Sequence, residues 1–364
     1  VVFMNGPRGV NRLSGDRSAA AHGAELAAAL AGDHEAFRLL TDQYTRELHL
    51  HCYRMLGTFH DAEDAMQETL LRAWRHLATF EGRSSFRAWL YRIATNVCLR
   101  QGGRRQTELP VLTQAQIEEI ARSAEPAITL SPYPDTWLDE IEATLGDPAA
   151  AYDLRESVQL AFLAAVQLLP PRQRAVLILR DVLGWSAAEV ADLLDSTAAS
   201  VNSALTRARA TLEEQRAAGR LQTGRRVPSD EVERSLVRRY IEAWDAVDIG
   251  KLAGLLKSDV VVTMPPLPLR YAGREAVTAF LATTPAAGGL DQYHLIPTRA
   301  NRQPAVAVYR LDPDGRTYHA RGIHVLSVDG DAIAEITAFI DPALVPVFGF
   351  PAELEPDSAV MTQR

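Results

Sequence analysis

The sequence predicts a multidomain chain: two all-α blocks joined by an acidic linker, followed by an α+β domain. Three observations carry this. Its 364 residues, 47% hydrophobic and 23% charged, suffice for two or three independent cores. Apolar residues recur with helical spacing over 22–106 and again over 151–222. After "TGRRVPSDEV" two helical stretches lead into β-rich runs such as "DVVVTMPP", "PAVAVYRL" and "YHARGIHVLSV", with "DPDG" and "VDGD" as hairpin turns. The expected divisions are a disordered start (1–21), a first helical block (22–106), the linker (107–150), a second helical block (151–222), the α+β domain (230–352) and a tail (353–364).

Composition narrows the class. The two cysteines, Cys52 and Cys98, lack the spacing of a zinc site or a disulfide framework, so no metal or cofactor is expected and a reducing cytoplasm fits. No apolar run approaches the roughly 18 residues of a membrane span, and "VVFMNGPRGV" is not ordered like a signal peptide. A cytoplasmic protein without a membrane partner follows as the expectation. Net charge is −8, yet its distribution is a mosaic. The stretch 107–150 is strongly acidic, whereas Arg100, Arg104 and Arg105 end the first block and Arg207, Arg209, Arg216 and Arg220 the second.

In the second block, "GWSAAEVADLLDSTAASVNSALTRARATL" reads as two short helices broken at Asp195-Ser196-Thr197. Ser186 and Glu189 match a capping box. Val201, Ala204, Leu205, Ala208 and Leu212 form one apolar stripe on the second helix. The opposite face carries Ala199, Asn202, Ser203 and Thr206, flanked by Arg207 and Arg209. Small residues admit a helix to a major groove, amides and hydroxyls bond base edges, and guanidiniums hold phosphate or guanine. Taken alone, the pattern fits a solvated helical hairpin equally well. With its lead-in "LPPRQRAVLILRDVL", it closely resembles domain 4 of the extracytoplasmic-function (ECF) group of bacterial σ70-type sigma factors, the module that reads the promoter −35 element.

The first block supplies an independent test. "DAEDAMQETLLRAWRHLATFEGRSSFRAWLYRIATNVCLR" resembles domain 2 of the same family. The resemblance makes Asp61, Glu63, Asp64, Gln67 and Glu68 an acidic clamp on the β′ subunit of core RNA polymerase, with further contacts to the β subunit. It makes Arg83, Ser84, Trp89, Tyr91, Arg92 and Asn96 the −10 melting set. Aromatics and an amide in a basic context suit capture of an unstacked base. The family's linker threads the polymerase cleft toward the RNA exit path.

Residues 230–352 resemble the SnoaL-like, NTF2-like cone fold, a curved sheet wrapped by helices around a pocket. Trp244, Met264, Tyr271, Phe280, Tyr309, His324 and Phe339 are its candidate lining, and a small-molecule ligand is a candidate partner. Enzymes on this fold use a buried Asp or His, so His319, His324 and Asp341 are weighed as bases, but strand alternation allows only one of the two histidines to face a cavity. The expected function is a non-enzymatic promoter-specificity subunit that binds core polymerase and promoter DNA and is regulated in cis by its last domain. The alternative is an NTF2-like enzyme or ligand-binding protein with a helical DNA-binding tether.

Overall fold

A computed structural model of the chain describes residues 19–82, 84–101, 130–145, 148–217, 229–265, 267–283 and 290–356. They fall into two compact units. The first holds the described residues up to 101 together with those from Thr136 to 217, and the second holds 130–135 together with those from 229 onward.

The first unit opens with α1 (Ala19–Leu30), α2 (His34–Leu56), α3 (Phe59–His76) and α4 (Phe86–Gln101). Helix α1 begins at Ala19, inside the stretch expected to be disordered. Capping fixes the next boundaries. The Asp33 carboxylate accepts from the amides of Glu35 and Ala36, and Gly57 ends α2 with φ 88°, a left-handed conformation open to glycine. Thr58 then caps α3 through the Asp61 amide. The core between these helices includes Leu40, Leu48, Phe59, Ala62, Met66, Leu90 and Val97.

The expected linker is helical over part of its length. Helix α5 (Asp135–Glu142) buries Leu138 and Ile141, and its Trp137 ring lies 4.9 Å from those of His49 and Phe59 beneath the Arg46 guanidinium. Then follow α6 (Pro148–Val158), α7 (Leu160–Gln167), α8 (Pro171–Leu177, running on as a π turn over Ile178–Val182), α9 (Ala187–Leu193) and α10 (Ala198–Ala217). The helical blocks pack directly on each other. The Arg54 guanidinium donates to Ser157 Oγ at 2.6 Å, and that of Arg174 to the Met55 carbonyl at 2.5 Å. Arg174 also serves the carbonyls of Val166, Gln167 and Leu169; burial lowers its pKa to about 10.

The second unit is a helix-wrapped sheet. Its elements are α11 (Asp230–Asp245), α12 (Ile249–Leu255), β1 (Leu256–Met264), β2 (Leu267–Ala272), α13 (Arg274–Thr283), β3 (Tyr293–Ala300), β4 (Gln303–Leu311), β5 (Tyr318–Asp329), β6 (Ala332–Phe339), α14 (Leu344–Val347) and β7 (Glu353–Leu354). The strand order is β2-β1-β6-β5-β4-β3, with β7 added against β5. Only β1 and β6 pair in parallel among these neighbours. The inner face packs Leu295, Val306, Val308, Leu326 and Ile336 against Leu236, Tyr240, Trp244 and Phe280 of the helices. The expected tail therefore begins inside the sheet, because β7 pairs there. The α+β architecture is that predicted.

Candidate nucleic-acid interface

The helix pair of the second block is built as its sequence requires. Ser186 Oγ accepts from the Glu189 amide at 3.2 Å, and the Glu189 carboxylate accepts from the Ser186 amide at 2.7 Å, so both halves of the capping box form. Asp195 takes φ 49° in the turn between the helices, a left-handed conformation that aspartate tolerates better than most residues. Val190, Ala191, Leu194, Val201, Leu205 and Ala208 are buried. That stripe leaves Ala199, Asn202, Ser203, Thr206 and Arg207 together on the exposed face of α10. At 100° per residue, Arg207 and Arg209 flank this face on opposite sides. Their settings differ. The Asp181 carboxylate accepts both the Nε (2.9 Å) and the Nη2 (2.7 Å) of Arg209, raising its pKa. The Thr206 hydroxyl donates to the Asn202 carbonyl at 3.0 Å, which leaves its oxygen as an acceptor.

In the first block the melting set divides by helix phase. Trp89, Arg92 and Asn96, spaced three and four apart, share one partly exposed face of α4. The Trp89 ring leans on Phe80 and Phe86 at 5.4 and 5.5 Å, and Ser84 is exposed before the helix. Arg83 lies outside the described residues. Tyr91 must be withdrawn from the set, for it is only 1% exposed. It belongs with Ala94, Thr95 and Cys98 to the inward stripe. Its ring lies 5.0 Å from His51 and 5.4 Å from Trp185, beneath the Arg87 guanidinium, which pairs with Glu47 at 2.7 Å. Arg92 pairs with Asp195 of the helix-pair turn at 2.5 Å.

On α3, Glu63, Asp64 and Gln67 are exposed, and Asp61 and Glu68 are half-buried. Asp61 is occupied by the Thr58 hydroxyl at 2.7 Å and Glu68 by Arg72 at 2.5 Å. The structure adds a residue that sequence reasoning missed. Leu71 stands 52% exposed, one helical turn from Gln67 and two from Asp64, as an apolar centre in an acidic face. Its spacing of four from Gln67 was the available signal.

The candidate pocket of the second unit splits in two. Trp244, Met264, Tyr271 and Phe280 belong to the inner core, with Tyr271 stacked on Phe280 at 4.3 Å. His324 faces the same side, its ring 6.3 Å from Trp244. His324 Nδ1 is buried without a hydrogen-bond partner among the described residues, and burial lowers its pKa to about 4. Tyr309 and Phe339 leave the candidate lining. Their strand neighbours Val308 and Ala338 point inward, so they point outward. The Tyr309 hydroxyl donates to the Pro351 carbonyl at 2.7 Å. His319 is bound by Asp312 at 2.8 Å and lies 3.4 Å from Glu353, which raises its pKa. No group of His, Cys, Asp and Glu able to hold a metal occurs among the described residues, and no described helix is long and apolar enough to cross a membrane.

Three family models match the chain: Sigma-70 region 2 over residues 40–107, Sigma-70 region 4 over 159–212, and a SnoaL-like domain over 237–336. The ECF RNA polymerase sigma factor SigG of Mycobacterium tuberculosis is 42% identical over 326 residues, 87% of this chain and 85% of that protein. SigW of Bacillus subtilis, also an ECF sigma factor, is 29% identical over 186 residues, 50% of this chain and 90% of that one. Among solved structures, the ECF sigma factor SigJ of Mycobacterium tuberculosis superposes with a TM-score of 0.52 at 22% identity, covering 84% of this chain and 96% of that one. That likeness extends the shared fold across the helical blocks and the sheet domain.

Proposed function

The chain belongs to the ECF sigma factors of RNA polymerase, and from that membership we propose a division of labour among its faces. As a promoter-specificity subunit rather than an enzyme, it binds core polymerase and promoter DNA in the cytoplasm. The exposed face of α10 carries the proposal. Asn202, Ser203 and Thr206 read base edges of the −35 element, while Arg207 and Arg209 hold phosphate or guanine at its flanks. Trp89, Arg92 and Asn96, with Ser84 and Arg83 ahead of them, receive the melted −10 strand. Glu63, Asp64, Gln67 and Leu71 form the contact to a basic helix of the core enzyme, supported by Asp61 and Glu68. The domains that do this work are 22–106 and 151–222, with 230–352 acting on them in cis.

Run-off transcription with reconstituted core polymerase tests the reading. The wild-type chain should confer promoter-dependent initiation. Reversing charge at Asp64 and Glu68 should abolish core binding while leaving the helical content intact. A chain that binds core but gives the same transcripts after substitution at Asn202, Ser203 and Thr206 would remove α10 as the reader.

A further inference from the structure

Residues 130–135, lying between the two helical blocks in sequence, are held by the β3–β4 hairpin of the C-terminal domain. Leu130, Ser131, Tyr133 and Asp135 are all buried, and Tyr133 is 0% exposed. The Tyr133 amide donates to Asn301 Oδ1 at 2.8 Å, and the Asn301 amide donates to the Tyr133 carbonyl at 2.9 Å. Pro134 bridges Ala300 in antiparallel sense. The Asp135 carboxylate accepts from the Arg302 amide at 2.8 Å and from Arg299 Nε at 3.2 Å, with the Arg302 guanidinium at 3.8 Å. Arg299 is in turn paired with Glu233 of α11.

The hairpin is shaped for this occupant. Ala300 pairs with Gln303, so Asn301 and Arg302 are the two turn residues, with φ 55° and 60°. A turn of this kind favours Asn-Gly, since both positions need the left-handed region. Arginine in the second place holds a strained, left-handed backbone, and its side chain here serves Asp135. Asn301 is wholly buried, and its side-chain oxygen takes the Tyr133 amide as a donor there.

We infer that the C-terminal domain is a peptide-binding clasp whose occupant is the chain's own Leu130–Asp135 segment, and that the clasp must release it before the segment can lie along the polymerase. This rests on the sigma-factor reading above, which gives the segment its path through the polymerase cleft. The clasp and that path compete for one stretch of backbone. Tyr133 cannot be buried at the hairpin and extended in the cleft at once. Covalent tethering holds the local concentration of the segment near millimolar, so the clasp is filled in the free protein even if its intrinsic affinity is modest. Polymerase opens it only through its own preference for the released segment.

Hydrogen exchange on the full-length protein, alone and bound to core polymerase on a promoter, tests this. Amides of 130–135 should be protected in the free chain and lose at least tenfold of that protection in the promoter complex. Tyr133→Ala and Asp135→Asn should speed exchange in the free chain and raise run-off transcription several-fold. Arg302→Gly is the folding control on the hairpin side: glycine accepts the left-handed turn, so the domain should stay folded while the grip on Asp135 loosens and transcription rises. Protection retained in an actively transcribing complex, or faster exchange in the variants with unchanged transcription, would overturn the clasp and leave the sigma reading intact. Failure of the wild type and all three variants to bind core polymerase would instead overturn the sigma reading.

Discussion

At the scale of single residues, Arg207 and Arg209 look alike in sequence and differ in the fold. Arg209 is committed to Asp181, so DNA would have to compete with an existing ion pair. Arg207 is exposed on the flank of the proposed reading face. Arg207→Ala should therefore cost more than Arg209→Ala. If it meets phosphate, affinity falls on all promoters alike and the salt slope drops by about one; a bidentate guanine contact instead costs about 1–3 kcal/mol at one base pair. Binding titrations across salt concentrations and a base-substituted −35 panel separate the two outcomes. A second residue-scale prediction concerns His51, which is fully buried on Thr95 at 2.9 Å with its pKa lowered to about 3 by burial and by nearby Arg54 and Arg87. In the unfolded chain it titrates near 6.5. Between those values the unfolded state holds more protons, so the stability contribution is full above about pH 6.5 and is lost as pH falls through the window. His49 has the same sign, also at about 3. Stability against thermal unfolding should fall steadily from pH 7 to pH 4, and His51→Gln should remove on the order of 3 kcal/mol from that total fall.

At the scale of elements, α9 packs against α10, the proposed reader, and sets its direction. With only seven residues in α9, intrinsic helix propensity cannot hold it, and the Ser186–Glu189 box is a large part of what does. Ser186→Ala should cost about 1 kcal/mol in stability, read as a lowered unfolding midpoint. It should also weaken −35 binding without changing base preference, since no reading residue is touched. An altered preference would mean that Ser186 itself contacts DNA. Much of this element was legible in advance: the capping box, the break at Asp195 and the apolar stripe of α10 follow from spacing alone. Helix α4 was harder to read. In "FRAWLYRIATN" large apolar and aromatic residues occupy every side of the wheel, so composition does not reveal the phase. Only packing against α2 and Trp185 puts Tyr91 inside and leaves Trp89, Arg92 and Asn96 facing out.

At the scale of the whole molecule, the two helical blocks meet, and magnitude decides what holds them. The Arg92–Asp195 pair, with side chains 41% and 74% exposed, contributes at most about 1 kcal/mol. Arg54 and Arg174 are buried, and each of their bonds across the blocks contributes roughly 1.5–3 kcal/mol. Elements at −10 and −35 lie some 25 base-pair positions apart, about 85 Å at roughly 3.4 Å per step. With the reading faces assigned as proposed, blocks in contact through these residues do not span both elements, and the proposal predicts that they part on promoter DNA. Fluorescent labels on α3 and α10 should report a short distance in the free chain and a large increase in the promoter complex. Arg54→Ala should shift the free chain toward the separated state. A constant distance in a transcribing complex would contradict the proposed assignment of the two reading faces.

Local pattern by itself determined the helical blocks, the capped helix pair and its polar face, the acidic face of α3, and the change to a sheet domain near residue 230. Each of these depends on periodicity, capping and turn chemistry within a few residues. Tertiary structure decided which side of β4 and β6 faces the helices. Residues 304–309 are buried on both faces, with the Pro351 carbonyl meeting Tyr309 on the outer one, and a strand buried on both sides shows no alternation. Tyr309 and Phe339 could not be told from Trp244 for that reason. It also decided the fate of the segment between the blocks. Tyr133 and Asn301 stand 168 residues apart, and nothing near "SPYPD" in the chain says that a strained turn so far away completes its hydrogen bonds.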